Sequence, residues 1–210
     1  MNTSNIETAT NAKYKGLASI YDVRWSNYLN RSFAFLLDFV EISPEVIILD
    51  LACGTGELMR LILEKNPTQN ITGIDLSPAM LNIAKAKLKK YPQARLVNTS
   101  VKKLSFENQF FDLVVCANAF HYFDCPQLVL AEIKRLLKPH GKVIILDWCR
   151  DYWFLKICDR IFKISDLAYQ GCYTQTELVQ LLRKAGFNIK KKSKVRFGLF
   201  WELMVMKAEF

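Results

Sequence analysis

Asp50, Gly54, Gly56 and Asp75 are the residues whose types and spacing point to a bound ligand. Positions 46–57 read Val-Ile-Ile-Leu-Asp-Leu-Ala-Cys-Gly-Thr-Gly-Glu, an apolar run closed by a carboxylate and followed by two glycines around one small residue. A helix-like stretch at 57–65 comes next, so a buried strand turns sharply into a helix. Glycine accepts positive φ and lets a ligand approach the main chain, and the free N–H groups at a helix start make a polar cradle. Asp75 closes the next apolar run, about 20 residues beyond the glycines, where a carboxylate accepts two ribose hydroxyls. A second constellation follows the apolar run 111–116: Asn118-Ala119-Phe120-His121-Tyr122-Phe123. Histidine is the side chain suited to exchange a proton near neutral pH, which makes His121 the candidate base.

Three ligands compete for the glycine turn. A P-loop needs GxxxxGK[ST], which this chain lacks. A dinucleotide turn needs GxGxxG, but Met59 stands at the third glycine position, where a side chain is expected to crowd the helix against the strand. S-adenosylmethionine carries no phosphate, so the loop need only wrap a small zwitterion and a sugar. Asp50 then meets the cationic amino group, directly or through water, and Asp75 meets the ribose.

The elements that must position these residues alternate along the chain. Apolar runs at 46–51, 71–75, 94–98, 111–116 and 142–148 read as strands. Helical patterns fit 28–40, 57–65, 78–90, 126–138 and 175–185. Ser77-Pro78 reads as an N-cap with proline at the first helical position, and Pro126 starts a helix in the same way. Thr174 with Glu177 reads as a capping box, and Pro139-His140-Gly141 as a helix stop. The alternation implies one doubly wound α/β domain with a mostly parallel sheet. Segments 188–195 and 200–207 are joined by 196–199, too short for a parallel crossover, and so form an antiparallel hairpin.

With these residues in place, the chain resembles class I S-adenosylmethionine-dependent methyltransferases over roughly 14–207. The resemblance is to the small-molecule group that includes the ubiquinone and menaquinone methyltransferases. Asp50-Leu51-Ala52-Cys53-Gly54-Thr55-Gly56 is similar to the family loop DxGCGTG, with Ala52 at its first glycine. Gly73-Ile74-Asp75-Leu76-Ser77-Pro78-Ala79-Met80-Leu81, Phe111-Asp112-Leu113-Val114-Val115 and Leu136 to Lys142 resemble the later motifs. The resemblance implies a seven-stranded sheet of order 3-2-1-4-5-7-6, with strand 7 antiparallel. It also implies S-adenosyl-L-methionine as cofactor and S-adenosyl-L-homocysteine as product.

The implied cofactor contacts are Tyr14, Tyr21, Asp50, Ala52, Gly54, Gly56, Asp75, Leu76, Met80, Ser100, Val101 and Asn118. Ser100 stands where the family usually has an acidic residue beside the adenine. Tyr14 and Tyr21 lie in an element, Tyr14 to Asp22, that resembles the family's [FY]xxxAxxYD cap, assigned to 1–43. Tyr21 joins His121 as a candidate catalytic residue. Segment 149–173 occupies the place of a substrate lid, where Tyr152, Trp153, Phe154 and Phe162 would wall an aromatic, isoprenoid or other hydrophobic acceptor beside His121. Trp201 reads as either wall or core.

Composition bounds the partners. The 210 residues suit one domain, and no apolar run is long enough to cross a membrane. The start of the chain has no apolar signal-like stretch, and six scattered cysteines with no CxxC pair read as reduced thiols without a metal. These features favour a cytoplasmic location. The net charge of +9 is read as solvated lysines at 85–90 and 190–194. It leaves RNA, or an anionic membrane surface, as a disfavoured partner. The DNA cytosine signature PCQ is absent, because Cys125-Pro126-Gln127 has another order. The function read here is methyl transfer to a small hydrophobic metabolite. An RNA or protein methyltransferase, and a non-catalytic cofactor-binding protein, are the alternatives. No oligomeric state is assigned.

Overall fold

A computed structural model describes residues 3–198 and 201–210. Seven strands form one sheet in the order β3-β2-β1-β4-β5-β7-β6. They are β1 (Ile48–Leu51), β2 (Ile71–Asp75), β3 (Ala94–Asn98), β4 (Phe111–Ala117), β5 (Leu137–Trp148), β6 (Asn188–Phe197) and β7 (Trp201–Glu209). The first five run parallel, and β7 pairs antiparallel with both β5 and β6. The expected order and the antiparallel hairpin are therefore both present. Leu199 of the expected connection and Phe200 of the expected segment 200–207 lie outside the described residues, as do Met1 and Asn2.

Alternation along the strands sorts the core into two layers. Leu49, Leu51, Val114, Cys116, Val143 and Ile145 pack with α5 (Pro126–Leu136) and α7 (Gln175–Lys184). Ile48, Leu113, Val115, Ile144 and Leu146 pack on the opposite face with α2 (Tyr21–Leu37), α3 (Glu57–Lys65) and α4 (Pro78–Lys87). Two further helices frame the carboxyl edge of the sheet: α1 (Thr3–Leu17), which a short 3-10 turn joins to α2, and α6 (Trp153–Ser165). The segment around α6 begins and ends at a bridge between Cys149 and Tyr173, so 149–173 leaves the sheet and returns to one place.

Several boundaries differ from the sequence pattern. The helix read at 28–40 starts at Tyr21. The strand read at 142–148 begins at Leu137, because Pro139-His140-Gly141 does not end pairing: His140 takes φ +64 and β5 shifts register opposite Phe111 and Leu113. Ser77 occupies the N-cap of α4, but its side chain makes no capping bond; Asp75 Oδ1 accepts the Ser77 N–H instead. Thr174 and Glu177 do form both halves of the capping box.

Met59 sits fully buried without the expected crowding. The missing glycine is made good across the interface, by Gly73 on β2. A Cβ at Gly73 would lie 2.8 Å from Cys53 Sγ and closer still to the Met59 sulfur. The space that a third loop glycine would leave is thus provided by the strand, and Met59 alone does not decide against a pyrophosphate.

Candidate active site

The glycine turn is held by Asp75. Its Oδ2 accepts the Gly54 N–H at 2.8 Å while its Oδ1 holds Ser77, so one carboxylate ties β2 to the turn after β1. Burial raises the Asp75 pKa, opposed by these N–H bonds. Ala52 adopts φ +62 and Gly56 φ +72, the left-handed region that the first and last positions of the turn require. A Cβ at Gly56 would stand 3.0 Å from Ala84 Cβ, so Gly56 also lets α4 close against the turn.

Two cavities meet above this turn. The first is a cleft lined by Ala52, Gly54, Asp75, Leu76 and Met80, and farther along by Ser100 and Val101. Tyr14, Tyr21 and Asn118 close it. Ten of the twelve expected cofactor contacts therefore share one space. Asp50 and Gly56 do not line it. Gly56 shapes the turn from behind, its N–H donating to Cys53 O at 2.9 Å. Asp50 is buried under the turn with Oδ2 unpartnered, and burial, then the Asp75 charge, pushes its pKa up to about 7.

Glu7 was not legible as a site residue, yet it lines this cleft from α1. Ser100 Oγ donates to Glu7 Oε1 at 2.7 Å and accepts the Lys102 N–H at 3.1 Å. A carboxylate thus stands beside the position where the sequence offers only a hydroxyl. Asp22 is a second residue whose role needs the fold. Thr55 Oγ1 donates to Asp22 Oδ1, and Lys87 Nζ donates to Asp22 Oδ2, both at 2.6 Å. Lys87 also donates to Glu57 Oε2 at 2.7 Å, so it joins α2, α3 and α4 rather than lying solvated.

The second cavity is a chamber of about 510 Å³ between α1, α2 and α6. Its walls are mostly aromatic: Trp25 and Tyr28 from α2, Trp148 at the end of β5, Phe154 and Phe162 from α6, and Trp201. Trp201 is therefore wall, its ring 4.4 Å from Tyr28 between centroids. Tyr152 and Trp153 depart from the expectation. Tyr152 is the N-cap of α6 and packs on the core beneath, while Trp153 opens the helix on its outer side, 64% exposed. Phe154 alone of those three faces the chamber.

His121 lies in a 3-10 turn, Phe120–Tyr122, at the chamber floor. Its Nδ1 is 2.6 Å from Asp147 Oδ1, its backbone N–H donates to Asp147 Oδ2 at 2.8 Å, and its ring stacks on Trp148. His121 Nε2 is buried without a partner. With Asp147 as acceptor, Nδ1 carries the proton and Nε2 presents a lone pair. Asn118, in left-handed conformation at φ +57, accepts the Tyr28 hydroxyl at 2.7 Å, and Tyr28 in turn accepts Trp148 Nε1–H at 2.9 Å. Burial raises the pKa of both Tyr14 and Tyr21, first by desolvation and then by neighbouring negative charge, so each stays a neutral phenol. As a neutral phenol Tyr21 carries an O–H at the cleft wall. Lys13 spans the top, donating to Tyr122 Oη at 2.9 Å and pairing with Asp166 beyond α6.

Residues 48–141 match a family described as a methyltransferase domain. A demethylmenaquinone methyltransferase from Thermotoga maritima is 35% identical over 141 residues, covering 62% of this chain and 58% of the relative. One of the same description from Leptospira interrogans is 28% identical, covering 83% of this chain and 78% of the relative. The chain thus spans well under two thirds of the first of these and over three quarters of the second. The fold is shared with a Burkholderia thailandensis 1,6-didemethyltoxoflavin-N1-methyltransferase solved with 1,6-didemethyltoxoflavin and S-adenosylhomocysteine. That comparison gives a TM-score of 0.77 at 19% identity, over all of this chain and 90% of that one.

Proposed function

We propose that this chain, which carries a class I S-adenosylmethionine-dependent methyltransferase domain, moves a methyl group from S-adenosylmethionine to a small hydrophobic metabolite. The observation that carries this is the junction of the two cavities. Tyr14, Tyr21, Asn118 and Tyr122 line both the cleft beside the glycine turn and the aromatic chamber. A group held in the cleft and a nucleophile held in the chamber meet at that junction, which is the arrangement an in-line displacement needs.

The residues of the cleft fit the cofactor. Asp75 lines the cleft and has acceptor capacity left for ribose hydroxyls. Asp50, outside the lining and buried under the turn, is a carboxylate with one oxygen unpartnered, whose charge would favour an ammonium group held above it. Glu7 and Ser100 stand together where an adenine amino group requires an acceptor, and we assign the stronger acceptor role to Glu7. The cofactor, when bound, supplies an already activated methyl group. What remains for the protein is to align the acceptor, exclude water and take a proton. Asp147 orients His121, whose Nε2 receives that proton from an acceptor hydroxyl or similarly acidic group. Asn118 and the two neutral tyrosines fix the junction. Segment 149–173 serves as the acceptor lid, with α1 and α2 as the cap.

The aromatic walls support a flat or isoprenoid acceptor, and the names of the curated relatives support a quinol-like ring. The chamber's apolar aromatic walls suit a small apolar acceptor better than a phosphate backbone or a polar protein segment, which disfavours those alternatives. Methyl-labelled S-adenosylmethionine incubated with the protein and a cell metabolite extract tests the proposal. A labelled apolar product supports it. Cofactor binding without any labelled product would leave a non-catalytic binder, and label in RNA or protein would replace the acceptor class.

A further inference from the structure

We propose that the outer face of α6 is a docking surface for an anionic lipid bilayer. Helix α6 is divided into three strips. Phe154, Leu155, Cys158 and Phe162 line the chamber. Trp153, Ile157, Ile161 and Ile164 are exposed to solvent, Ile164 by 88%. At about 100° per residue, these four fall within about 80° of the helix circumference, so they form one stripe. Lys156, Arg160 and Lys163 flank that stripe on one side. Just past the helix, Leu167 is 70% exposed. Scattered exposed apolar residues are ordinary; a stripe of this kind along a single helix is not.

Charge decides what covers it. The only carboxylate within α6 is Asp159, which is buried and takes Lys163. The acidic neighbours outside the helix are committed as well, Asp151 to Lys194 and Asp166 to Lys13. Lys156 and Arg160 have no ion pair among the described residues, so the stripe is bordered by uncompensated positive charge. A second copy of this chain meeting the stripe about a twofold axis would bring like charges together. A convex helix face also offers no groove for a peptide. An aromatic and branched aliphatic ridge with lysine and arginine beside it is the pattern of a helix lying in the plane of a lipid interface. The same helix walls the chamber on its other side, so docking would set the chamber against the lipid phase. The docking proposal does not rest on the proposed methyl transfer, although it suits an acceptor dissolved in lipid.

Sedimentation of the full chain with vesicles tests this, one set of phosphatidylcholine and one containing phosphatidylglycerol. The chain is expected to sediment with the second set, to do so less as salt rises, and to leave the first set in solution. Trp153 emission should shift to the blue on binding, and the shift should vanish in Trp153→Phe. The double variant Ile161→Glu with Ile164→Glu should lose about 10-fold or more in vesicle partitioning. It should keep its melting temperature and its affinity for S-adenosylhomocysteine, because both side chains face solvent. Equal binding of variant and parent, or indifference to lipid charge, would overturn the proposal. So would a parent chain that ignores vesicles but self-associates, or captures an acidic protein, through the same stripe. None of these outcomes depends on turnover, so a failed methyl-transfer assay would not be mistaken for a failed docking.

Discussion

Asp147 grips His121 at two points, Oδ1 lying 2.6 Å from Nδ1 and Oδ2 accepting the backbone N–H at 2.8 Å. The next residue, Trp148, stacks on the imidazole with centroids 4.7 Å apart and planes 11° from parallel. The ring has neither rotational nor tautomeric freedom to spare, and Nε2 is the atom left over. His121 lines the chamber and not the cleft. The proposed base would therefore act on the acceptor side, away from the proposed cofactor cleft.

His121→Ala should therefore lower kcat by about 10²-fold or more, the usual scale of a lost general base. Affinity for S-adenosylhomocysteine, measured by calorimetry, should stay within about 2-fold, because no hydrogen bond of the cleft runs through the ring. Asp147→Asn offers a gentler test. The amide leaves the ring's size and surroundings intact but can donate to Nδ1, which moves the ring proton to Nε2. Turnover should fall with KM for the acceptor nearly unchanged, and alkaline pH should not restore it. Full activity in either variant would reduce His121 to a packing residue.

Glu7 makes a prediction about the cofactor's base. An adenine amino group donates, and a hydrogen bond to a charged acceptor contributes about 1.5–3 kcal/mol against about 1 for a neutral one. Glu7→Gln should raise the Kd of S-adenosylhomocysteine by about 10-fold. The informative probe is S-inosylhomocysteine, which carries a carbonyl in place of the amino group. The parent chain should reject it, and the glutamine variant, able to donate, should bind the two nearly alike. Unaltered discrimination would remove Glu7 from the cleft's chemistry.

Some of this was readable before the fold was known. Buried parallel strands announce themselves as short apolar runs, and β2 and β3 fall on their expected limits. The glycine turn was readable because φ and close approach constrain residue type locally. The residues that escaped are joined by long-range geometry: Gly73 makes room for Met59, Asp147 reaches His121 across 26 residues, and Glu7 reaches Ser100 across 93. No periodicity encodes such pairs. The acceptor wall lies between these cases. Phe154, Cys158 and Phe162 recur every four residues and share a face, so the phase of α6 was available from spacing once its start was known. That start, at Trp153, turns Trp153 itself outward.

Gly56 should tolerate no side chain. Its φ of +72 costs an L-residue about 1–2 kcal/mol, and the added Cβ would press on Ala84 at 3.0 Å and Leu88 at 3.2 Å. Gly56→Ala should lower the melting temperature by about 2–4 °C for each kcal/mol lost and weaken cofactor binding in step, since α4 and the turn move together. Gly16→Ala is the control. Nothing lies within 4 Å of a Cβ there, and the residue sits within α1 at ordinary φ. That change should hold or raise the melting temperature. Identical behaviour of the two variants would separate Gly56 from the turn.

Asp50 links cofactor binding to pH. Its carboxyl is pushed up to about 7 by burial and by Asp75, above the value near 3.9 of an unfolded aspartate. A raised carboxyl favours the folded state only while protonated. Its contribution is full below about pH 4 and is lost as pH climbs toward 7, so the ionised group destabilises the ligand-free protein at neutral pH. An ammonium group beside it reverses the balance, because the cation favours the carboxylate. Binding should then release part of a proton near pH 6.5, affinity should rise with pH up to about 7, and it should level off above. Calorimetry in two buffers of different ionisation enthalpy reads the proton directly. Asp50→Asn should abolish the release, raise the melting temperature of the ligand-free protein at pH 8, and weaken the cofactor. Proton release that persists in the asparagine variant would assign the linkage to another group, and a parent chain that releases none would place the cofactor's ammonium away from Asp50.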